Sequence, residues 1–400
     1  YSYEKLTSVT LPSTVKKIGE QAFRDCPNLA DIVIPKGVES IGAYAFYNCS
    51  SLKEIDISNL TEISAYAFYN CSGLTSVTIP NAVTKIDTNA FYGCSGLKEV
   101  TLPISAEYRV DGKLFNYKSL DSFAGCGNVQ KITYTVGNGT VFAHGQKYTL
   151  PGYARSALTT VVYEEGIPEI PEYALNNCSK VTTVTLPSTV TKIGNYAFYS
   201  CTSLPSIAVP ECTKSIGDFA FYGCSSLEST GSLKNVESIG RYAFYNCSGL
   251  KEIDISGLTE ISGYIFYNCS GLTSVTIPNV VKTIGDAAFY GCSGLQEVTL
   301  PISAGYRVDG RMFDYKSLDS FAGCENVQKV TYTVGDGSVF NPTSTTTSGS
   351  ADTLPYYAYK TLTTVVYEEG ISEVPDRALY RYNYSYEKLT SVTLPSTVKK

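Results

Sequence analysis

The sequence is poor in the residues that most catalytic and metal sites need. It has one histidine, His144, and its thirteen cysteines include no C-x-x-C pair. A serine or cysteine nucleophile with a histidine base would therefore depend on His144 alone, and the lack of a C-x-x-C pair beside a single histidine argues against a zinc site. That residue lies in a stretch, residues 143–146, with no counterpart in the second half of the chain. We expect an exposed loop histidine, and no catalytic residue, metal or cofactor.

Long apolar runs and an excess of positive charge are also missing. No apolar run approaches the roughly 18 residues that span a bilayer, so we expect no membrane-spanning segment. The formal net charge is -6 and the isoelectric point is near 5.1. A nucleic-acid-binding protein would instead carry a basic face, so we expect no nucleic-acid partner.

Repetition is what the sequence has in abundance. A block of about 23 residues follows the pattern L-x-x-V-x-I/L-P-x-x-V-x-x-I-G-x-x-A-F-x-x-C and is complete between Leu6 and Cys26. Its phenylalanine recurs 22 or 23 residues apart, at Phe23, Phe46, Phe68 and Phe91 and again at Phe198, Phe221, Phe244, Phe266 and Phe289. A fixed period of this length predicts a solenoid, in which each unit buries its apolar face only against its neighbours.

A coarser repeat of roughly 200 residues is superimposed on the finer one. Residues 41–142 return almost unchanged at 239–340, and residues 1–17 reappear as 384–400. We therefore expect one continuous array over residues 1–400, of about sixteen turns, cut from a longer tandem array. Breaks in the spacing predict insertions at residues 104–120, 137–152, 302–318 and 335–354.

Within one unit the sequence predicts two legs. Leu6, Val9 and Leu11 alternate with Ser8 and Thr10, which is the pattern of a strand with one buried face. Stacked units should pair these strands into a parallel sheet. The spacing of Ala22, Phe23 and Cys26 favours one short helical turn on the return leg.

The motif from Leu6 to Cys26 resembles the BspA-like, or Treponema-type, subclass of leucine-rich repeats, which occurs in bacterial and protist surface proteins. Thr14 stands where the wider leucine-rich repeat pattern has asparagine. The resemblance implies a curved right-handed solenoid with a parallel β-sheet on one face and short strands or helical turns on the return leg. It also implies a bacterial protein that is secreted or attached to the cell surface, often an adhesin, without shared catalytic residues.

Twelve of the thirteen cysteines occupy one position of the repeat, and only Cys212 is out of register. A disulfide framework does not require one thiol at the same point of every unit. We expect a column of buried free thiols, each acting as a small apolar group with a weak S–H donor. Pairwise bridging under oxidation stays open, because stacked turns bring the thiols within disulfide range.

Surface tyrosines and two short insertions are the candidate ligand contacts. Tyrosine supplies contact area at low entropic cost, although stacking between turns is the alternative interpretation. The candidates on the return leg are Tyr44, Tyr47, Tyr66, Tyr69, Tyr92, Tyr242, Tyr245, Tyr264, Tyr267 and Tyr290. Those in the insertions are Tyr108, Arg109, Asp111, Tyr306, Arg307 and Asp309. A column of outward threonines on the strands is interpreted first as a structural ladder.

The function predicted from the sequence is non-enzymatic. We expect a monomeric cell-surface or secreted repeat protein that mediates adhesion by binding a protein or a glycan on host or bacterial surfaces. Two alternatives stay open: a carbohydrate-binding module that uses the surface tyrosines, and a structural stalk with no ligand of its own.

Overall fold

The computed structural model describes residues 3–104, 107–110, 113–114, 121–137, 154–281, 283–301, 305–308, 311–312, 319–334, 356–371, 374 and 385–398. It divides into two compact units, Tyr1–Thr189 and Val190–Lys400. His144, Asp111 and Asp309 lie outside the described residues.

The first leg of the repeat forms the expected parallel pairing, in a two-stranded and a five-stranded sheet in the first unit and a five-stranded sheet in the second, here together called the long-strand row. In the first unit its strands are Ser8–Thr10, Asp31–Val33, Ser76–Thr78, Glu99–Pro103, Lys131–Thr135, Thr160–Tyr163 and Thr183–Thr185. In the second unit they are Ser274–Thr276, Glu297–Pro301, Lys329–Thr333, Thr364–Tyr367 and Ser391–Thr393. Equivalent residues pair in register, as Val77 does with Val100 and Val100 with Ile132, so one face is apolar in every turn.

In one turn of each unit an aspartate stands where the long strand would lie. Asp56 accepts a hydrogen bond from the backbone N–H of Ser58 at 2.9 Å, and Asp254 accepts one from the N–H of Ser256 at 3.1 Å. Such local side-chain bonds compete with strand pairing, and neither aspartate lies in a strand. Hydrogen bonds from serine also lower the pKa of both carboxyl groups. Both aspartates thus have a structural role, as acceptors of local hydrogen bonds in the turn.

The second leg contains a two-residue strand, and these strands form a second parallel row, the short-strand row. Its members in the first unit are Lys17–Ile18, Ser40–Ile41, Glu62–Ile63, Lys85–Ile86 and Glu169–Ile170. In the second unit they are Lys192–Ile193, Ser215–Ile216, Ser238–Ile239 and Thr283–Ile284. The isoleucine of each strand is buried where its side chain is described, because it faces the core while the preceding residue points outward.

Each short insertion contains a β-hairpin that extends the short-strand row. In the first unit Glu107–Val110 pairs in parallel with Lys85–Ile86 and antiparallel with Lys113–Leu114. In the second unit Gly305–Val308 pairs in the same way with Thr283–Ile284 and Arg311–Met312. The hairpin therefore stands one turn beyond the last short strand that precedes it.

In most described repeats the return leg forms consecutive tight turns instead of the helical turn that the spacing favoured; at Asp121–Phe123 and Asp319–Phe321 a short 3₁₀ helix stands at this position. The N–H groups of Tyr44, Phe46 and Asn48 donate to carbonyls of the next repeat at 2.8–3.2 Å. The N–H groups between them donate to carbonyls three residues back in the same repeat. Alternate amides thus bond to the neighbouring turn, and a continuous helix cannot form because its amides must all bond within one segment.

A column of stacked phenylalanines runs through the core of each unit. Phe198, Phe221, Phe244, Phe266 and Phe289 are fully buried, with ring centroids 5.0–5.6 Å apart in successive turns. Burying one such ring contributes roughly 1.5–3 kcal/mol, and that contribution arises at the interfaces between turns.

Helix is scarce in the described part of the chain. The 3₁₀ helices there are Asp121–Phe123, Asp319–Phe321 and Tyr356–Lys360. No helix among the described residues is long and apolar enough to cross a bilayer.

Candidate functional site

In several turns of each unit the return leg places two aromatic residues on the outside, on either side of the buried phenylalanine. In the segment Tyr242 to Tyr245, Phe244 points into the core and both tyrosines are partly exposed. Tyr242 has a backbone φ of 58°, which is a left-handed conformation that bulky residues rarely adopt. The reversal at this residue lets two aromatic side chains of one tight turn point outward.

Across successive turns these residues form two columns, here called the tyrosine ladder. In the second unit the first column contains Tyr196, Phe219, Tyr242 and Tyr264, with ring centroids 4.7–4.8 Å apart. The second column contains Tyr199, Tyr222, Tyr245, Tyr267 and Tyr290, with centroids 4.5–4.7 Å apart. The spacing matches the separation of neighbouring strands, so the backbone ladder sets the ring stack.

The first unit carries a shorter version of the same ladder. Tyr44 and Tyr66 stack at 4.7 Å in the first column. Tyr47, Tyr69 and Tyr92 stack at 4.7 and 4.8 Å in the second column. The structure therefore brings together all ten of the return-leg tyrosines that the sequence suggested, five in each unit.

Sequence reasoning missed the beginning of the longer ladder. Tyr196, Tyr199, Phe219 and Tyr222 occupy the same repeat positions as the predicted residues and join the columns of the second unit. The signal was available, because these residues flank Phe198 and Phe221 at the spacing already recognised. In the first coarse repeat the turn equivalent to that of Phe198 carries Gln21 and Arg24 instead, and the turn of Phe221 has no counterpart there.

The ladder exposes ring edges and hydroxyl groups rather than ring faces. Within the second column each inner ring has a parallel neighbour on both faces, and the planes differ by only 2–6°. At the start of the shorter ladder, Arg24 places its guanidinium 5.6 Å from the ring centroid of Tyr44 and 5.1 Å from that of Tyr47. Offset stacking and the cation–π contact both stabilise rings in this arrangement.

Small polar residues lie beside the second column. Asn246 and Asn268 follow Tyr245 and Tyr267 with φ values of 57° and 56°, and Nδ2 of Asn268 donates to Oδ1 of Asn246 at 3.1 Å. Gly291 follows Tyr290 with a φ of 71°. Asparagine and glycine tolerate this conformation best, so the backbone itself selects a border of small polar residues.

Stacking also changes the ionisation of the phenols. Burial raises the pKa of Tyr69, Tyr222 and Tyr245, and neighbouring phenols of the ladder raise it further. The hydroxyl groups of these residues are therefore neutral donors and acceptors at neutral pH.

On the inner side of the same turns the cysteines form the expected column. All thirteen are free, and the twelve in-register thiols are buried. Sγ of Cys247 donates to the carbonyl oxygen of Phe221 at 3.1 Å, and Sγ of Cys269 donates to that of Phe244 at the same distance. Burial raises the pKa of Cys224 to about 12, so the thiol stays protonated and unreactive.

Four of the six insertion candidates lie in strands of the described part of the chain. Tyr108 and Arg109 lie in strand Glu107–Val110, and Tyr306 and Arg307 lie in strand Gly305–Val308. The hairpins pair with strands Lys85–Ile86 and Thr283–Ile284. Tyr92 and Tyr290, which end the second column, belong to the same turns as these two strands. Each hairpin therefore stands one turn beyond the end of the second column. A role for these residues in ligand contact stays a prediction.

The opposite leg carries the threonine column and ion pairs between turns. The threonines of the predicted column, such as Thr78, Thr101 and Thr276, are exposed or half-buried on the long-strand row. Ion pairs join neighbouring turns, as between Lys131 and Glu99 at 3.3 Å. These exposed pairs contribute little to stability.

The match to a family model decides where the chain belongs. Residues 1–121, 152–256 and 214–340 match the BspA type leucine-rich repeat region, in six copies, and together cover more than three quarters of the chain. The chain belongs to the BspA-type leucine-rich repeat family. The resemblance seen in the sequence and the leucine-rich repeat fold are thereby confirmed.

Several solved structures are similar to this chain. A leucine-rich repeat protein from Bacteroides ovatus is 28% identical, with 82% of this chain and 79% of that one covered and a TM-score of 0.45. A leucine rich cell surface protein from Faecalibacterium prausnitzii is 21% identical, with 82% and 88% covered and a TM-score of 0.31. The pneumococcal vaccine antigen PcpA is 20% identical, with 91% and 74% covered and a TM-score of 0.36. Among curated proteins no relative was found.

Proposed function

We propose that this protein is a non-enzymatic, secreted or cell-surface repeat protein that mediates adhesion by binding protein partners through its tyrosine ladder. The observation that carries the proposal is the ladder of the second unit. Nine aromatic rings stack there without a break in either column. A surface location is what membership of the BspA-type family implies.

The composition of the ladder surface supports a protein partner. Tyrosine dominates it, and its border is supplied by serine, glycine and asparagine at Ser200, Gly223, Asn246, Asn268 and Gly291. The same four residue types are enriched in antibody paratopes, where rigid tyrosines supply area and small polar residues supply adaptable hydrogen bonds. Here the rings are already ordered by stacking, so binding costs little further side-chain entropy.

A carbohydrate-binding module is the weaker candidate. Sugar rings bind aromatic residues by lying flat on an open ring face, whereas each inner ring of the second column has both faces covered by its neighbours. Phenol hydroxyls remain for hydrogen bonds, but they are weaker anchors than an open face. The geometry therefore favours protein over glycan recognition.

The binding face can be tested with matched variants of the full chain. The ladder variant replaces Tyr222, Tyr245 and Tyr267 by serine. The control variant replaces Ser274 and Thr276 by alanine on the long-strand row, which lies on the other leg of the turn. Labelled proteins are titrated onto intact host and bacterial cells, with and without protease or glycosidase treatment of the cells. Circular dichroism verifies that both variants are folded.

We expect the wild type to bind saturably and protease treatment of the cells to abolish this binding. The ladder variant should bind at least tenfold more weakly, and the control variant should bind like the wild type. Binding lost only after glycosidase treatment would favour the carbohydrate module. Binding by none of the proteins would favour a structural stalk, and equal loss in both variants would remove the ladder as the binding face.

A further inference from the structure

The second column of the longer ladder holds five phenol rings that stack in parallel and close together. Between Tyr245 and Tyr267 the centroids are 4.5 Å apart and the planes differ by 6°; the other three steps are 4.7 Å with 2–5°. Since equivalent residues of successive turns share one backbone conformation, we expect equivalent ring carbons to lie about as far apart as the ring centroids. Each phenol thus has the carbon ortho to its hydroxyl next to the same carbon of the next turn.

We propose that Tyr199, Tyr222, Tyr245, Tyr267 and Tyr290 form a site of oxidative modification, at which tyrosines of consecutive turns couple into dityrosine bridges. The reagent is a peroxide acting through a one-electron oxidant of the peroxidase class. The column supplies both phenols of every bridge.

Each of two neighbouring phenols loses one electron to the oxidant and its hydroxyl proton to solvent, giving two phenoxyl radicals. Their ortho carbons form one C–C bond, and each carbon then transfers its hydrogen to the adjacent oxygen, which restores both phenols. Two tyrosines lose two protons and two electrons in all, and one hydrogen peroxide takes up both and becomes two waters.

Access and competition both favour this column. The hydroxyl edges are reachable, because the rings are half-exposed and Tyr290 at the end is 38% exposed. Thiols are normally the first targets of oxidants, but Cys224 and Cys247 in the same turns are fully buried, and burial holds the pKa of both thiols far above neutrality. Cys212 is the one partly exposed thiol that competes with the phenols for the oxidant. The first column is a poorer site, because Phe219 lacks a hydroxyl and separates Tyr196 from Tyr242.

A bridge in this column would join residues about one repeat apart. The interfaces between turns are what hold a solenoid together, so a covalent link between turns opposes local opening of the array. Oxidation would therefore link consecutive turns covalently and oppose their local opening, most strongly over residues 199–290.

The experiment uses the full chain at low concentration with a haem peroxidase and hydrogen peroxide. Trypsin separates the five phenols onto different peptides, because it cuts after Lys214, Lys234, Arg241, Lys251 and Lys282. We expect dityrosine fluorescence in the monomeric fraction, and peptide pairs lighter by two hydrogen atoms that join consecutive turns. Coupling in urea should lose this preference for consecutive turns.

The matched variant is Tyr222→Phe with Tyr267→Phe, which keeps the stack, as Phe219 does naturally, but leaves no adjacent phenols in the column. We expect it to fold and to lose the cross-linked peptides of this column, whereas Tyr3→Phe keeps them. The proposal is overturned if the bridges are mainly between molecules, if they join tyrosines that are not in consecutive turns, or if the double variant gives an unchanged yield.

Discussion

Two parallel aromatic stacks run along the same turns, one made of phenylalanine and one of tyrosine. Phe244 and Phe266 are 5.6 Å apart and fully buried, whereas their sequence neighbours Tyr245 and Tyr267 are 4.5 Å apart and half-exposed. The backbone spacing imposes both stacks, so stacking alone does not distinguish a core from a surface. Burial does: the inner stack stabilises the turns, and the outer stack is free to contact a partner or a reagent.

The largest effect that separates the inner from the outer side should come from alkaline pH. Cys49, Cys126, Cys178, Cys224 and Cys292 lie on the inner side, and burial raises their thiol pKa from 9.0 to about 12. The folded state holds these protons while the unfolded chain releases them. The contribution of these thiols to the free energy of unfolding is therefore fully present below pH 9. It falls as the pH rises towards 12, by about 1.4 kcal/mol per pH unit for each thiol.

This pH dependence can be measured by urea denaturation at a series of pH values, followed by circular dichroism. Cys224→Ala should have a shallower slope than the wild type by about one thiol's share. A free energy of unfolding that stays constant from pH 9 to 11 would contradict the buried thiol column.

Phe244→Ala should have the next largest effect. The ring is fully buried with Phe221 on one side and Phe266 on the other, so its loss leaves a cavity between turns. We expect a loss of about 3–5 kcal/mol in the free energy of unfolding, measured by urea denaturation. An equal loss in Tyr245→Ala would mean that the inner and outer stacks are not distinguished by burial.

Gly42→Ala tests the close approach of turns that sets both stacks. A Cβ on Gly42 would lie 2.5 Å from the backbone N of Glu20, whereas one on Gly19, at the same repeat position, would meet no atom within 4 Å. We expect Gly42→Ala to lower the free energy of unfolding, measured by urea denaturation, by about 1–3 kcal/mol through overpacking. Gly19→Ala is the control and should leave it nearly unchanged; equal values for both would show that the turns can move apart.

Tyr245→Ala should have the smallest effect on stability. Its ring loses two stacking contacts, with Tyr222 at 4.7 Å and Tyr267 at 4.5 Å, but leaves no buried cavity. We expect a cost of about 1 kcal/mol by urea denaturation. Tyr245→Phe is the control and should cost less, since it keeps both stacks. A cost comparable to that of Phe244→Ala would overturn the assignment of this column to the surface.

Much of this arrangement followed from the period of the sequence. Phe244 could be assigned to the core because an apolar ring recurs there with the period of the repeat, and Tyr245 was expected at the surface because its side chain is amphipathic. The in-register cysteines could be interpreted as free thiols because they too recur with the period of the repeat. The helical turn was wrong, because the spacing of Ala22, Phe23 and Cys26 fits a helix as well as it fits a series of tight turns.

The sequence by itself determined the repeat, the family, the buried column of phenylalanine and cysteine, and the tyrosine-rich return leg. Each of these depends only on which residue types recur at a fixed spacing. Tertiary structure alone decided that alternate amides of the return leg bond to the next turn and that Tyr242 is left-handed. It also decided that ring faces are covered while ring edges are exposed. These features arise only when a neighbouring turn supplies the carbonyls and the rings, and no single repeat contains them.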